Sequence, residues 1–99
     1  MAKVKLRQKA IDDLNSIWEY TFYKWSESQA DKYYNMLKSA CLDLEINSNF
    51  GKEYKRIELG LFGVKMGKHI IFYKSITQNN IEVVRILHEK MDLKKRLSE

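Results

Sequence analysis

His69-Ile-Ile-Phe-Tyr-Lys-Ser-Ile76 and Ile81-Glu-Val-Val-Arg-Ile-Leu-His88 are the two runs of sequence that decide the fold. Both are rich in β-branched and aromatic residues, which is typical of strands. Gln78-Asn79-Asn80 lies between them, and because Asn-Asn tolerates positive φ, we expect a β-hairpin. Apolar residues follow one another in both runs, which indicates central strands covered on at least part of each face.

In the N-terminal half, the spacing of apolar residues is mainly that of helices. After a short alternating strand at Val4 and Leu6, apolar residues recur at three- and four-residue spacing. A second helix follows at once, because Ser26 and Gln29 fit a capping box. The tight break at Trp25–Ser26 predicts an antiparallel helix pair. The apolar stripes are Ala10, Ile11, Leu14, Ile17, Trp18, Thr21, Phe22 and Trp25 on the first helix, and Ala30, Tyr33, Tyr34, Leu37, Ala40, Cys41 and Leu44 on the second.

Turn residues divide the rest of the chain. Asn47–Gly51 collects helix-terminating residues, and residues 52–60, which have no clear period, predict a loop. A further strand is expected near Leu59–Met66, and Asp92 is placed to cap a last short helix over Leu93–Leu97. The order β-α-α-β-β-β-α predicts an α+β fold in which a helical hairpin packs on a small, mostly antiparallel sheet.

The 99 residues suffice for a single domain, residues 1–99, with no room for a second core. A content of 44% hydrophobic and 31% charged residues excludes a disordered chain. No apolar run approaches the roughly 20 residues of a membrane span, and the N-terminus lacks the apolar stretch of a signal peptide. We therefore expect a cytoplasmic protein with no membrane partner. The single Cys41 excludes an internal disulfide, and its place on a helix stripe predicts a buried, inert thiol.

The excess of positive charge is concentrated in the middle of the chain. The net charge is +5, and residues 1–48 carry seven basic and seven acidic side chains. Residues 49–75 carry six basic and two acidic side chains. Such a field attracts nucleic acid or an acidic protein surface, whereas a net charge of this size is also common in small soluble domains. We favour a functional basic face because the charges are clustered.

The chain contains no catalytic signature: it lacks a Gly-rich phosphate loop, a His-x-x-x-His or Cys-x-x-Cys pair and a nucleophile elbow. We therefore expect no metal site and no cofactor. RNA cleavage by the RNA's own 2′-hydroxyl needs only a base, an acid and cations. Groups of those types are Arg85, His88, Lys65, Lys68, His69 and either Glu58 or Glu89.

Each of these groups also has a structural interpretation. Arg85 lies among apolar neighbours, so it either faces out of the sheet or pairs with a carboxylate. His88 ends a strand, where a capping hydrogen bond to the next loop is the favoured role. Trp18 and Trp25 occupy helix-stripe positions, which favours packing in the core over stacking on bases.

The chain resembles the ParE toxins of the RelE/ParE superfamily of bacterial toxin–antitoxin systems. The resemblance runs from Val4 to Leu97 and rests on the order of elements and on three motifs. These are Ala10-Ile-Asp-Asp-Leu-Asn-Ser-Ile-Trp-Glu-Tyr-Thr, His69-Ile-Ile-Phe-Tyr and, above all, Val84-Arg-Ile-Leu-His-Glu-Lys-Met-Asp92.

The resemblance implies a type II toxin that inhibits DNA gyrase by binding it and is not an enzyme. It also implies a ParD-like antitoxin, with operator DNA bound only through that antitoxin and with no small-molecule substrate. Target contacts are then expected at Lys65, Lys68, His69, Arg85 and His88. One alternative is a ribosome-dependent mRNA endoribonuclease of the RelE branch, with Arg85, His88 and Lys65 catalytic. Another is an inactive partner-binding module.

Two positions depart from the ParE pattern. Asn49-Phe50 stands where ParE sequences usually have Asn-Pro, which concerns the shape of a loop. Phe62 stands where many relatives carry arginine. If that arginine contacts the target, we expect this chain either to be a weaker toxin or to depend on Lys65 and Lys68.

The large apolar positions on the two helices exceed what one small sheet face covers. We therefore expect an exposed apolar groove that an amphipathic helix of the antitoxin occupies. The residues expected to contact the antitoxin are Trp18, Phe22, Tyr33 and Leu37.

Overall fold

A computed structural model describes residues 3–47 and 51–99. It has the expected α+β architecture, with one two-residue strand that the sequence pattern did not predict. The elements are β1 (Lys3–Leu6), α1 (Gln8–Lys24), α2 (Glu27–Asn47), β2 (Lys52–Glu53), β3 (Leu61–Met66), β4 (His69–Thr77), β5 (Asn80–His88) and α3 (Leu93–Leu97).

The five strands form one mixed sheet in the order β1-β5-β4-β3-β2. The pairs β5–β4, β4–β3 and β3–β2 are antiparallel, and β1 alone runs parallel to its neighbour, β5. The predicted hairpin therefore supplies two of the three inner strands. Its central position explains why apolar residues follow one another in both β-rich runs.

The connection of the β4–β5 hairpin differs from the expected one. Thr77 pairs with Asn80, so Gln78 and Asn79 form a two-residue turn. In the part of the chain that the structure describes, no residue other than glycine has positive φ, so the expected positive-φ Asn-Asn turn is wrong. Instead, the strand register shifts between Ser75 and Thr77, next to the turn. Asn80 Nδ2 donates to Thr77 Oγ1 over 2.7 Å.

The break between the helices has the Ser26 half of the predicted capping box. The backbone N–H of Gln29 donates to Ser26 Oγ over 3.1 Å at the start of α2. Trp25, however, is 69% exposed and does not belong to the core. Because α1 ends at Lys24, Trp25 lies in the link between the helices and leaves the buried stripe of α1.

Each face of the sheet has its own apolar cluster. The helices cover one face, where the buried cluster includes Leu14, Leu37 and Cys41. Burial raises the pKa of the Cys41 thiol to about 12, which agrees with the buried, inert thiol expected from the sequence.

A second cluster, on the other face of the sheet, contains Phe72 and Leu87, and α3 packs against it. The predicted cap of α3 is confirmed: the backbone N–H of Lys95 donates to Asp92 Oδ1.

One ion pair joins α1, β5 and α3. Arg85 Nε and Nη2 donate to Asp13 Oδ2 and Oδ1 over 2.8 and 3.0 Å. Asp13 Oδ2 also accepts from the backbone N–H of Ile86 over 2.9 Å, and Arg85 Nη1 donates to the carbonyl of Arg96. The two side chains are only 13% and 15% exposed. Of the two sequence interpretations of Arg85, pairing with a carboxylate is therefore the one that the structure shows.

Replacing Asp13 by alanine tests this ion pair. We expect Asp13→Ala to lower the free energy of unfolding by about 3 kcal/mol, because the largely buried guanidinium of Arg85 and the N–H of Ile86 lose their acceptor. Asp12→Ala is the matched control, since exposed Asp12 accepts only a surface hydrogen bond from Gln8, and its effect should stay below about 0.5 kcal/mol. Urea denaturation followed by circular dichroism measures both; equal effects would contradict the assignment.

Candidate functional site

Four of the five predicted target contacts meet at one end of the sheet. The register of the central hairpin places His69 opposite His88, and that of β3 and β4 places Met66 opposite His69. Lys65 and Lys68 lie at the same β3–β4 connection. These four residues, Lys65, Lys68, His69 and His88, are called the basic sheet end below.

The two lysines of the basic sheet end differ in their surroundings. Lys65 Nζ forms an ion pair with Glu89 Oε2 over 2.7 Å. The hydrogen bond to Glu89 raises the pKa of Lys65 and, in turn, lowers the pKa of Glu89, so both groups stay charged at neutral pH. Lys68 contributes its backbone, which donates to Tyr33 Oη and accepts from the N–H of Glu89. Within residues 3–47 and 51–99, the ammonium group of Lys68 forms no ion pair.

The two imidazole rings form a contact pair. Their centroids are 5.2 Å apart, with the planes at 84°. His69 Nδ1 lies 2.6 Å from Tyr33 Oη, and Lys90 N–H donates to His88 Nδ1 over 3.1 Å. The second contact confirms the capping role expected for His88. Burial, followed by the charge of His88, lowers the pKa of His69 to about 4, so His69 is neutral at physiological pH.

Arg85, the fifth predicted target contact, is not part of this cluster. It lies opposite Phe72, three ladder positions from the pair formed by His69 and His88, which is about 10 Å along the strand. Its guanidinium is bound to Asp13 and to the carbonyl of Arg96, and Glu99 Oε1 lies 3.6 Å from Nη1. The structure therefore does not bring Arg85 together with His88 and Lys65, the three residues expected to be catalytic in an endoribonuclease.

A second candidate surface lies on the outer side of α1. The rings of Trp18 and Phe22 stack with centroids 5.2 Å apart, and Tyr23 contacts Phe22 edge-on. Tyr23 is 83% exposed, Phe22 is 38% exposed, and Trp25 follows at the end of the helix. These four residues are called the aromatic helix surface below. Large exposed aromatic groups of this kind are enriched in protein interfaces.

Two of the four residues expected to contact an antitoxin lie elsewhere. Leu37 is 0% exposed and packs in the core between the helices and the sheet, so its assignment to a binding surface is wrong. Tyr33 is half-buried, and its hydroxyl is engaged with His69 and Lys68. The stripe of α2 that carries both residues faces the sheet, which removes it from the outer surface.

The expected exposed apolar groove is also different in character. A cleft of about 630 Å³ lies between α1 and α2, but four of its six lining residues are Asn, Asp or Glu. Trp18 Nε1 donates to Asp31 Oδ1 over 2.9 Å, so the indole bridges the two helices. The apolar surface of α1 is therefore a ridge of aromatic rings beside a polar cleft. The cleft is lined by Asn15, Trp18, Glu19, Asp31, Tyr34 and Asn35.

The two departures from the ParE pattern have different outcomes. Phe62 is half-buried on β3 and stacks on Tyr73 with ring centroids 5.9 Å apart, so this position contributes to packing. Asn49-Phe50 lies outside the described residues. Within the described part of the chain, no helix is long and apolar enough to span a membrane, and no group of three or more His, Cys, Asp or Glu side chains is arranged to hold a metal ion.

Comparison with known proteins identifies the class to which this fold and these surfaces belong. The family described as "ParE toxin of type II toxin-antitoxin system, parDE" matches residues 4–93. The chain therefore belongs to the ParE toxin family.

Individual relatives agree with this assignment. Toxin ParE1 of Mycobacterium tuberculosis (strain CDC 1551 / Oshkosh) is 32% identical over 84 residues, which are 85% of this chain and 86% of that protein. Toxin ParE1 of Caulobacter vibrioides is 26% identical over 97 residues, which are 98% and 99% of the two chains.

Solved structures show the same fold. The chromosomal ParDE toxin–antitoxin system from P. aeruginosa superposes with a TM-score of 0.75 at 18% identity, covering 89% of this chain and 96% of that one. The toxin–antitoxin complex RelBE2 from Mycobacterium tuberculosis superposes with a TM-score of 0.56 at 16% identity, covering 89% and 98%. The predicted RelE/ParE architecture is confirmed.

The environment of His69 predicts a pH dependence of stability. In the unfolded chain this histidine binds a proton near pH 6.5, whereas in the folded chain it does so only near pH 4. Stability from neutral His69 is therefore fully present above pH 6.5 and is lost as the pH falls toward 4. The charged and titratable groups around it are His88, Tyr33, Asp13 and Glu89.

His69→Gln removes this titration. We expect the difference in unfolding free energy between the parent chain and His69→Gln to shrink steadily from pH 7 to pH 4.5, and to stay constant between pH 7.5 and 8.5, where His69 does not titrate. Urea denaturation at each pH measures it. A difference that is independent of pH over the acid range would mean that His69 is not held neutral by the fold.

Proposed function

We propose that this ParE-family chain inhibits DNA gyrase by binding it, that a ParD-like antitoxin neutralises the inhibition, and that operator DNA is bound only through the antitoxin. Membership of the ParE family supports the toxin role, and the ParDE and RelBE2 neighbours are toxin–antitoxin systems by their titles. Inhibition by binding requires exposed contact surfaces and no reaction centre. The basic sheet end and the aromatic helix surface provide two such surfaces.

The hydrogen bonds and low exposure of the Arg85 guanidinium favour inhibition by binding over RNA cleavage. A cation that stabilises a developing phosphorane must face the substrate. The guanidinium of Arg85 instead makes two hydrogen bonds to Asp13 and one to the Arg96 carbonyl, and its side chain is 13% exposed. Lys65 is paired with Glu89, and His69 is neutral, so among the described residues Lys68 is the unpaired cation of this cluster.

We assign contact with gyrase to the basic sheet end. Lys68 is exposed, its ammonium group has no ion-pair partner among the described residues, and its backbone is held by Tyr33 and Glu89. A fixed turn that presents a free ammonium group suits an acidic protein surface, because no local carboxylate has to be displaced. Lys65 is exposed as well, but its ammonium group is already paired with Glu89.

Charge reversal at Lys68 tests the gyrase contact. We expect the purified chain to inhibit DNA supercoiling by gyrase, and Lys68→Glu to need about tenfold more protein for the same inhibition, because the reversed charge repels an acidic surface. Lys94→Glu is the matched control, since Lys94 is an exposed lysine on α3 away from the cluster, and it should inhibit like the parent chain.

Two results would contradict the gyrase assignment. One is supercoiling that stays unaffected by the parent chain at any concentration. The other is cleavage of mRNA in a translating extract that stops with His88→Ala or Arg85→Ala, which would favour the ribosome-dependent endoribonuclease.

The aromatic helix surface is the part of the molecule that we assign to the antitoxin. Phe22 and Tyr23 are in mutual contact and exposed, as expected of residues that fill the centre of an interface. Trp18 stacks on Phe22, and its indole nitrogen already donates to Asp31. A partner helix therefore meets rings that are preorganised, which reduces the entropy cost of binding.

Phe22→Glu tests the antitoxin contact. Co-expressed with the product of an adjacent ribbon-helix-helix gene, the parent chain should co-purify as a complex, and Phe22→Glu should weaken that complex by at least about thirtyfold, the loss typical of a central interface residue. Leu59→Glu is the control, because Leu59 is 77% exposed but lies in the loop between β2 and β3. Titration calorimetry measures both, and equal affinities would overturn the assignment.

A further inference from the structure

A cavity of about 480 Å³ lies between the middle of α1, the ends of β4 and β5 and the segment that follows β5. Two of its lining residues, His69 and His88, also belong to the basic sheet end that is assigned to gyrase, whereas the others belong to neither proposed contact. Of its seven described lining residues, three are apolar or aromatic, three are basic or imidazole groups and one is Ser16; none of the seven is acidic. The groups that matter are Ile17, Tyr20, Met91, His69, His88 and Lys90.

The hydrogen bond to His88 decides where the proton of its neutral ring lies. The N–H of Lys90 can only donate, so Nδ1 of His88 accepts and the proton of the neutral ring is on Nε2. Tyr33 Oη accepts from the N–H of Lys68 and lies 2.6 Å from Nδ1 of His69, a contact that either neutral tautomer of His69 fits. Within the described chain, neither Nε2 atom has a hydrogen-bond partner.

The other polar lining residues are Ser16, Tyr20 and Lys90, and each carries a donor. The ammonium group of Lys24 donates to Tyr20 Oη over 3.0 Å, so the phenol proton of Tyr20 remains available. The ammonium group of Lys90 has no ion-pair partner in the parts of the chain that are described. Glu89, its neighbour in sequence, is held by Lys65 and does not line the cavity. The cavity thus offers N–H and O–H donors and one positive charge on apolar walls.

We propose that this cavity binds a small monocarboxylate with an apolar body. The carboxylate accepts from the Nε2–H of His88 and from the Lys90 ammonium group, and the body packs on Ile17, Tyr20 and Met91. Apolar walls disfavour a free inorganic anion, and a single ammonium group matches one negative charge. The volume lies in the range of roughly 300–1,000 Å³ typical of small-molecule sites.

Octanoate is the probe, and two related compounds separate the contribution of its charge from that of its apolar chain. Octan-1-ol has the same body without the charge, and acetate has the charge without the body. In titration calorimetry with the purified chain, octanoate should bind saturably and at least about tenfold more tightly than either related compound. Only octanoate has both a carboxylate for the donors and a chain that packs on the apolar walls. The Met91 methyl resonance should shift on binding.

Lys90→Gln and Lys94→Gln complete the test. Both residues are exposed lysines, so neither substitution disturbs the core, but only Lys90 lines the cavity. Lys90→Gln should weaken octanoate binding about fivefold, and Lys94→Gln should leave it unchanged. Equal affinity for octan-1-ol, an unchanged affinity in Lys90→Gln, or an absence of saturable binding would each overturn the proposal. None of these readouts involves gyrase or an antitoxin.

Discussion

The ion pair between Arg85 and Asp13 is the constraint on which the arrangement of this molecule depends. It connects a helix and a strand that are 72 residues apart in sequence, and it also engages the carbonyl of Arg96 in α3. Both charges are largely removed from water, so the loss of either leaves the other without compensation. The pair thereby fixes the position of α1 on the sheet, and with it the place of the aromatic helix surface.

Most of the fold followed from the sequence because its signals are local. Consecutive apolar residues in β4 and β5 required two covered faces, which the helical hairpin and α3 supply. Two features could not be predicted for physical reasons. The strand Lys52–Glu53 is too short to show a period, and the Gln78–Asn79 turn uses a register shift where Asn-Asn chemistry suggested positive φ.

The candidate site was predictable only where strand register determined it. Lys65, Lys68 and the two histidines meet because they flank the ends of paired strands. The partner of Arg85 could not be chosen from sequence, since Asp12 and Asp13 are adjacent and only the packing angle of α1 decides between them. Likewise, the exposure of Tyr23 is consistent with its place off the apolar stripe, whereas the exposure of Trp25 depends on where α1 ends. Long-range geometry, not residue type, set these outcomes.

Under the proposed function, Arg85 stabilises the fold while the basic sheet end contacts gyrase, and one double variant separates these two roles. Asp13→Asn/Arg85→Gln removes both charges and keeps hydrogen-bonding groups at both positions. Once circular dichroism shows that this variant is folded, its inhibition of gyrase supercoiling should match that of the parent chain within about twofold, because Arg85 acts through the fold alone. A folded variant that has lost inhibition by about tenfold or more would show that Arg85 contacts the target and would contradict the account.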